Sequence, residues 1–165
     1  MKPTNINFNH IALSVPDLEA ACQFYQEVFG FRKIRSDQVQ DRNANSSGPI
    51  FRIYGDKLKV VKVCYLTCGN GVGFELFQFI DPPFTPPEST DSDTPFDYRR
   101  GGYYHIGLTV SNIEETVEKM VSLGGKQVNE LVILGQEKAV YVKDPWGNMV
   151  EVLSTSFETL LANTG

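Results

Sequence analysis

The chain has 165 residues, 41% hydrophobic and 21% charged, which is enough apolar material to bury a core and far from a disordered or collagen-like composition. A formal charge of −5 excludes the basic footprint of a nucleic-acid binder. No apolar run approaches the roughly 20 residues of a membrane helix, and Met1-Lys2-Pro3-Thr4-Asn5 lacks a secretory signal, so a cytoplasmic protein with no membrane partner is expected.

In the first half, Phe8 to Val15 alternates as a strand. Pro16-Asp17 then opens a helix whose apolar residues Leu18, Ala21, Cys22, Tyr25, Val28 and Phe29 recur at helical spacing, and Gly30 stops it. Phe31 to Val39 reads as a strand and Asp41 to Pro49 as a polar loop. Lys59 to Leu66 and Val72 to Ile80 read as two further strands, joined by Thr67-Cys68-Gly69-Asn70-Gly71. Residues 1–80 therefore form a β-α-β-β-β module.

Residues 81–102, rich in proline, serine and aspartate, read as an inter-module linker or lid. The second module, 103–165, repeats the plan. Tyr103 to Val110 is its strand, and Asn112 caps a helix over Ile113 to Leu123 that ends at Gly124-Gly125. Strands follow at Lys126 to Leu131, Lys138 to Val142 and Asn148 to Leu153, the last two joined by the turn Asp144-Pro145-Trp146-Gly147-Asn148. A short helix from Phe157 to Leu161 closes the chain. The expected fold class is α+β: two βαβββ modules forming a curved mixed-sheet cup, each with its helix outside.

The modules share wording as well as plan. His10-Ile11-Ala12-Leu13-Ser14-Val15 is echoed by His105-Ile106-Gly107-Leu108-Thr109-Val110, and these hold the two histidines of the chain. Glu75 and Glu151 sit in matching apolar runs. An unpaired carboxylate in such a run costs several kcal/mol, and a divalent cation would satisfy both glutamates and both imidazoles. His10, Glu75, His105 and Glu151 are therefore the expected ligands of one metal ion, whether zinc, manganese, iron, cobalt or nickel.

Strand alternation puts Phe8 with His10, Tyr103 with His105, Phe77 and Phe79 with Glu75, and Met149 and Leu153 with Glu151. This apolar, aromatic lining suits a small hydrophobic or aromatic substrate, with Arg99 or Arg100 near an anionic group. The three cysteines are too few for a disulfide framework. Cys64 and Cys68 lie four apart rather than in a C-x-x-C pair, and none of the three is assigned a metal role.

The paired His-Ile-x-Leu-x-Val starts, Phe24-Tyr25 and Phe29-Gly30 in the first helix, and Asp144-Pro145-Trp146-Gly147-Asn148 before the last glutamate together resemble the vicinal oxygen chelate superfamily. That group includes glyoxalase I, methylmalonyl-CoA epimerase, extradiol dioxygenases, and bleomycin- and fosfomycin-resistance proteins. The resemblance covers almost the whole chain. It implies paired βαβββ modules, a commonly dimeric assembly, and metal-ligand roles for His10, Glu75, His105 and Glu151. It also implies that a ligand glutamate moves a proton, making Glu151 the first candidate base and Glu75 the second.

Four protein ligands on an octahedral ion leave two open positions. Ring cleavage on iron calls for three, so the fourth ligand favours a glyoxalase-type lyase or isomerase, with a metal-polarised carbonyl and an enolate, over an extradiol dioxygenase. A non-catalytic drug-binding resistance protein is the reading from another class. Glyoxalase I itself is a poorer match, because Ser14 and Phe79 stand where that family's glutathione contacts include an arginine and an asparagine.

Overall fold

Alternation in His-Ile-Ala-Leu-Ser makes the first strand, β1 (His10–Ser14), with polar or small side chains on one face and Ile11 and Leu13 on the other. The computed structural model describes residues 7–86 and 101–163. Among these the fold is α+β, with two five-stranded sheets and four helices, and the chain divides into two compact units, Met1–Pro86 and Pro87–Gly165. None of the helices is long and apolar enough to cross a membrane.

In the first unit α1 (Leu18–Phe29) starts where the Asp17 carboxylate accepts from Ala20 N at 3.1 Å, a cap worth about 1 kcal/mol. It stops at Gly30, whose φ of 69° is the left-handed region that glycine enters without strain. Strands β2 (Arg32–Lys33), β3 (Gln38–Asp41), β4 (Val60–Thr67) and β5 (Gly73–Asp81) complete a mixed sheet of order β1-β5-β4-β2, β3 also pairing with β4. Strands β1 and β5 are parallel. The α1 face of the sheet carries Cys64, Leu66, Phe74 and Leu76, all buried, with Tyr25 of α1 ring to ring against Phe74 at 4.6 Å. Each such side chain contributes about 1.5–3 kcal/mol.

The strand expected over Phe31 to Val39 is broken in two. Arg32 and Lys33 pair with Thr67 and Leu66, whereas Gln38 to Asp41 pair further along β4 with Val63 to Val60. The residues between leave the ladder, and a Lys33–Asp37 ion pair of 2.8 Å spans the gap. A second difference is α2 (Pro49–Tyr54), in the stretch that follows the expected polar loop. Its Phe51 packs with Leu58, Val61, Val63 and Phe77 as a small core on the sheet face away from α1. Arg42 secures it, donating from Nε to Leu58 O at 2.8 Å and from Nη2 to Gly55 O at 2.5 Å, with its guanidinium 4.6 Å from the centre of the Phe51 ring.

The second unit repeats the scheme with β6 (Ile106–Thr109), α3 (Ile113–Ser122), β7 (Lys126–Gln127), β8 (Val132–Leu134), β9 (Glu137–Lys143) and β10 (Met149–Leu153), in the order β6-β10-β9-β7 with β8 also on β9. Asn112 caps α3 by accepting from Glu115 N at 3.1 Å. Of the strand expected over Lys126 to Leu131 only Lys126–Gln127 forms, because the Asn129 side chain takes Tyr141 N at 2.8 Å in place of a ladder carbonyl, and β8 lies beyond the expected range. Here the far end of the face away from α3 is covered by α4 (Phe157–Asn163), whose Leu160 packs with Ala139 and Leu153. The two modules thus cover corresponding faces with helices from different places in the chain.

Candidate metal centre

Each module sets one histidine beside one glutamate by the same register. In the first, the parallel ladder places Gly73 opposite His10 and Glu75 opposite Ala12, so imidazole and carboxylate lie diagonally across one face. His10 Nε2 is 3.6 Å from Glu75 Oε2. In the second, Glu151 lies opposite Gly107, which follows His105 as Ala12 follows His10, and His105 Nε2 is 3.3 Å from Glu151 Oε2. The space is tighter at Gly73, while at Gly107 a Cβ would make ordinary contacts. A Cβ on Gly73 would come within 3.1 Å of His10 Cβ, and one on Gly107 within 3.4 Å of Leu153 Cδ1 and 3.9 Å of Glu151 Oε2.

The turn before β10 aims Glu151. Asp144, 3% exposed, accepts from Trp146 N at 3.0 Å, Asn148 N at 2.7 Å and Asn148 Nδ2 at 2.8 Å, while Gly147 takes a φ of 89°. The sequence motif noted above is therefore a carboxylate-centred turn that fixes the start of the glutamate strand.

Tyrosines surround both pairs. Tyr65 lies directly across β4–β5 from Glu75, and Tyr141 across β9–β10 from Glu151. The backbone agrees, since Tyr65 O accepts from Ile34 N and Tyr141 O from Val128 N, both at 2.9 Å, just beyond β2 and β7. Burial first, then the Glu151 charge and hydrogen bonding with Glu151 and Tyr104, push the Tyr141 phenol up to about 12, so it is a neutral donor across the working range. The rings of Tyr104 and Tyr141 meet His105 edge to face at 4.4 and 5.3 Å. Burial, and secondarily Glu75, raise Tyr54, which α2 holds against Phe77 and Phe79. Arg35 lies 4.8 Å from the centre of the Tyr65 ring. The signal for Tyr65 and Tyr141 was in the sequence, each standing ten residues before its glutamate (65 to 75, 141 to 151).

The donor set fits a divalent ion. Asn9 Oδ1 accepts from His10 Nδ1 at 2.7 Å, which in the neutral ring leaves an Nε2 lone pair facing the Glu75 carboxylate. Two lone pairs directed at one space repel unless a cation lies between them. Cis ligands on a metal with bonds of about 2.1 Å stand about 3 Å apart, near the separations found in both pairs. His105 Nδ1 is buried with no hydrogen-bond partner among the described residues, so that ring has unused bonding capacity.

Of the expected lining, Phe77 is buried on the Glu75 face of β5, Met149 and Leu153 are buried on the Glu151 face of β10, and Phe79 is half-buried. Phe8 is 66% exposed and Tyr103 fully exposed. Arg99, Arg100 and most of the 81–102 segment, residues 87–100, lie outside the described residues.

Comparison with known proteins follows the same lines. The chain is 25% identical over 158 residues to the 2-epi-5-epi-valiolone epimerase of an Actinomyces species, covering 92% of this chain and 81% of that protein. It is 27% identical over 153 residues to a probable lactoylglutathione lyase of Vibrio cholerae serotype O1, covering 91% of each. Its fold is similar to that of a glyoxalase family protein from Bacillus cereus, at TM-score 0.74 and 19% identity over 92% of this chain and 95% of the other. The sequence profile of the Glyoxalase/Bleomycin resistance protein/Dioxygenase superfamily matches residues 7–152 and takes in both His–Glu registers, so the chain belongs to this superfamily.

Proposed function

We propose that the chain is a divalent-metal-dependent lyase or isomerase of glyoxalase type that moves a proton beside the carbonyl of a small, hydrophobic or aromatic oxygenated substrate, with His10, Glu75, His105 and Glu151 holding one ion. The observation that carries this reading is the repetition of a His–Glu pair at one register in both modules. Each pair supplies two donors, whereas a retained divalent ion takes three or four protein ligands, so this reading draws on the donors of both pairs. An epimerase and a lactoylglutathione lyase among the relatives support isomerase or lyase chemistry.

A bound ion would supply Lewis-acid polarisation of the substrate carbonyl. Glu151 takes the proton from the adjacent carbon and returns it, with Glu75 as the second candidate. The Tyr141 hydroxyl, donating to Glu151, fixes the carboxylate's orientation. Met149 and Leu153 flank Glu151 on its own face and keep its surroundings apolar, which strengthens these polar contacts.

The test is proton exchange. Metal-loaded protein incubated in D2O with a panel of cyclic hydroxyketones and hemithioacetals is expected to place deuterium beside the carbonyl, and Glu151→Gln to slow this about 10²–10⁴-fold. Metal content should fall in both His10→Ala and His105→Ala with the fold retained. Metal binding indifferent to both substitutions, or oxygen uptake with catechols in place of proton exchange, would overturn the proposal.

A further inference from the structure

Three donors outside the His–Glu pairs converge in the first module. Cys22 projects from the buried side of α1 and Cys64 from the facing side of β4, and their sulfurs are 3.0 Å apart. Asp37 lies in the break between β2 and β3, and the ligand atoms of the three residues all fall within 4.8 Å of one another. Gln26 Oε1 is a fourth nearby donor atom, accepting from Cys22 Sγ at 3.2 Å.

We propose that Cys22, Cys64 and Asp37 form a second metal site, separate from the His–Glu pairs, that takes a thiophilic divalent cation such as zinc or cadmium. Two thiolates and a carboxylate are the donor chemistry such ions select. Thiolates bound tetrahedrally at about 2.3 Å stand roughly 3.8 Å apart, so the sulfurs must separate by less than about 1 Å. Charge also balances. Free, the cluster holds two neutral thiols and the Asp37–Lys33 ion pair of 2.8 Å, with a sum of zero. Binding forms two metal–sulfur bonds and releases both thiol protons, and two thiolates, one carboxylate, one ammonium and one dication again sum to zero. Exchange of two protons for one dication thus leaves no net charge in a place where charge is costly. Asp37, with its side chain about a third exposed, gives the ion its path from solvent.

Cadmium titration of the reduced 165-residue chain, followed by thiolate-to-cadmium charge-transfer absorption, reads thiolate ligation alone, because imidazole and carboxylate ligands give no such band. The band is expected to saturate at the absorbance of one cadmium held by two thiolates per chain, whatever further cadmium the His–Glu pairs take, to persist in Cys68→Ser, and to vanish in Cys22→Ser and Cys64→Ser. Those two replace core residues, so Asp37→Asn supplies a surface variant, expected to weaken binding about tenfold or more. Cadmium NMR of the unsubstituted chain counts sulfur ligands with no substitution at all. Absence of the band, its removal by Cys68→Ser, the lack of any cadmium resonance at a sulfur-ligated shift, or a Cys22–Cys64 disulfide forming in place of uptake would each overturn the proposal. None of these outcomes bears on the His–Glu pairs, whose metal is read by its loss in the histidine variants.

Discussion

Tyr141 stands directly across the β9–β10 ladder from Glu151 and hydrogen-bonds to it, while the same ladder position in the first module pairs Tyr65 with Glu75. Removing the hydroxyl with Tyr141→Phe keeps the ring's edge contact with His105 and deletes only the donor. A hydrogen bond to a charged acceptor is worth about 1.5–3 kcal/mol, so turnover on the substrate found by deuterium exchange should fall about 10- to 100-fold with metal content unchanged.

The same tyrosine predicts an alkaline stability loss. Its folded value of about 12 lies above the ordinary 10.0, so between these the folded state holds a proton that the unfolded state has released. The stabilisation is complete below pH 10 and is lost as pH rises toward 12. Denaturant titrations across this window should show the decline in the parent protein and a shallower one in Tyr141→Phe.

Gly107 lies directly across from Glu151, and a Cβ there would already touch Leu153. Gly107→Val puts branched carbon where Leu153 Cδ1 and Glu151 Oε2 are already 3.4 and 3.9 Å from a Cβ position. Metal affinity measured by calorimetry should weaken about tenfold or more, and an unchanged affinity would show that Glu151 does not need this space.

Asp144 holds its turn with three accepted hydrogen bonds while nearly excluded from solvent. Asp144→Ala leaves those donors unpaired and should cost about 2–4 kcal/mol in denaturant unfolding, with Asp144→Asn milder.

Phe51 anchors α2 to the sheet. Phe51→Ala should remove about 3–4 kcal/mol and release Tyr54 from Phe77 and Phe79, read as collapse of the ring-current shifts on the Tyr54 ring protons.

What the sequence determined by itself was local and repeated. The helix caps at Asp17 and Asn112, the stop at Gly30, the alternation around His10 and Glu151, and the duplicated His and Glu positions all depend on neighbours a few residues away, where spacing dictates which face a side chain takes. Tertiary structure decided the rest. The breaks between β2 and β3 and between β7 and β8 arise because one long central strand in each module must serve two short partners. Helix α2 exists where its Phe51 finds a sheet face to cover, and six residues carry too little periodicity to declare themselves. Cys22 and Cys64 met only because α1 lies across β4, a contact between residues 42 positions apart that local spacing does not encode.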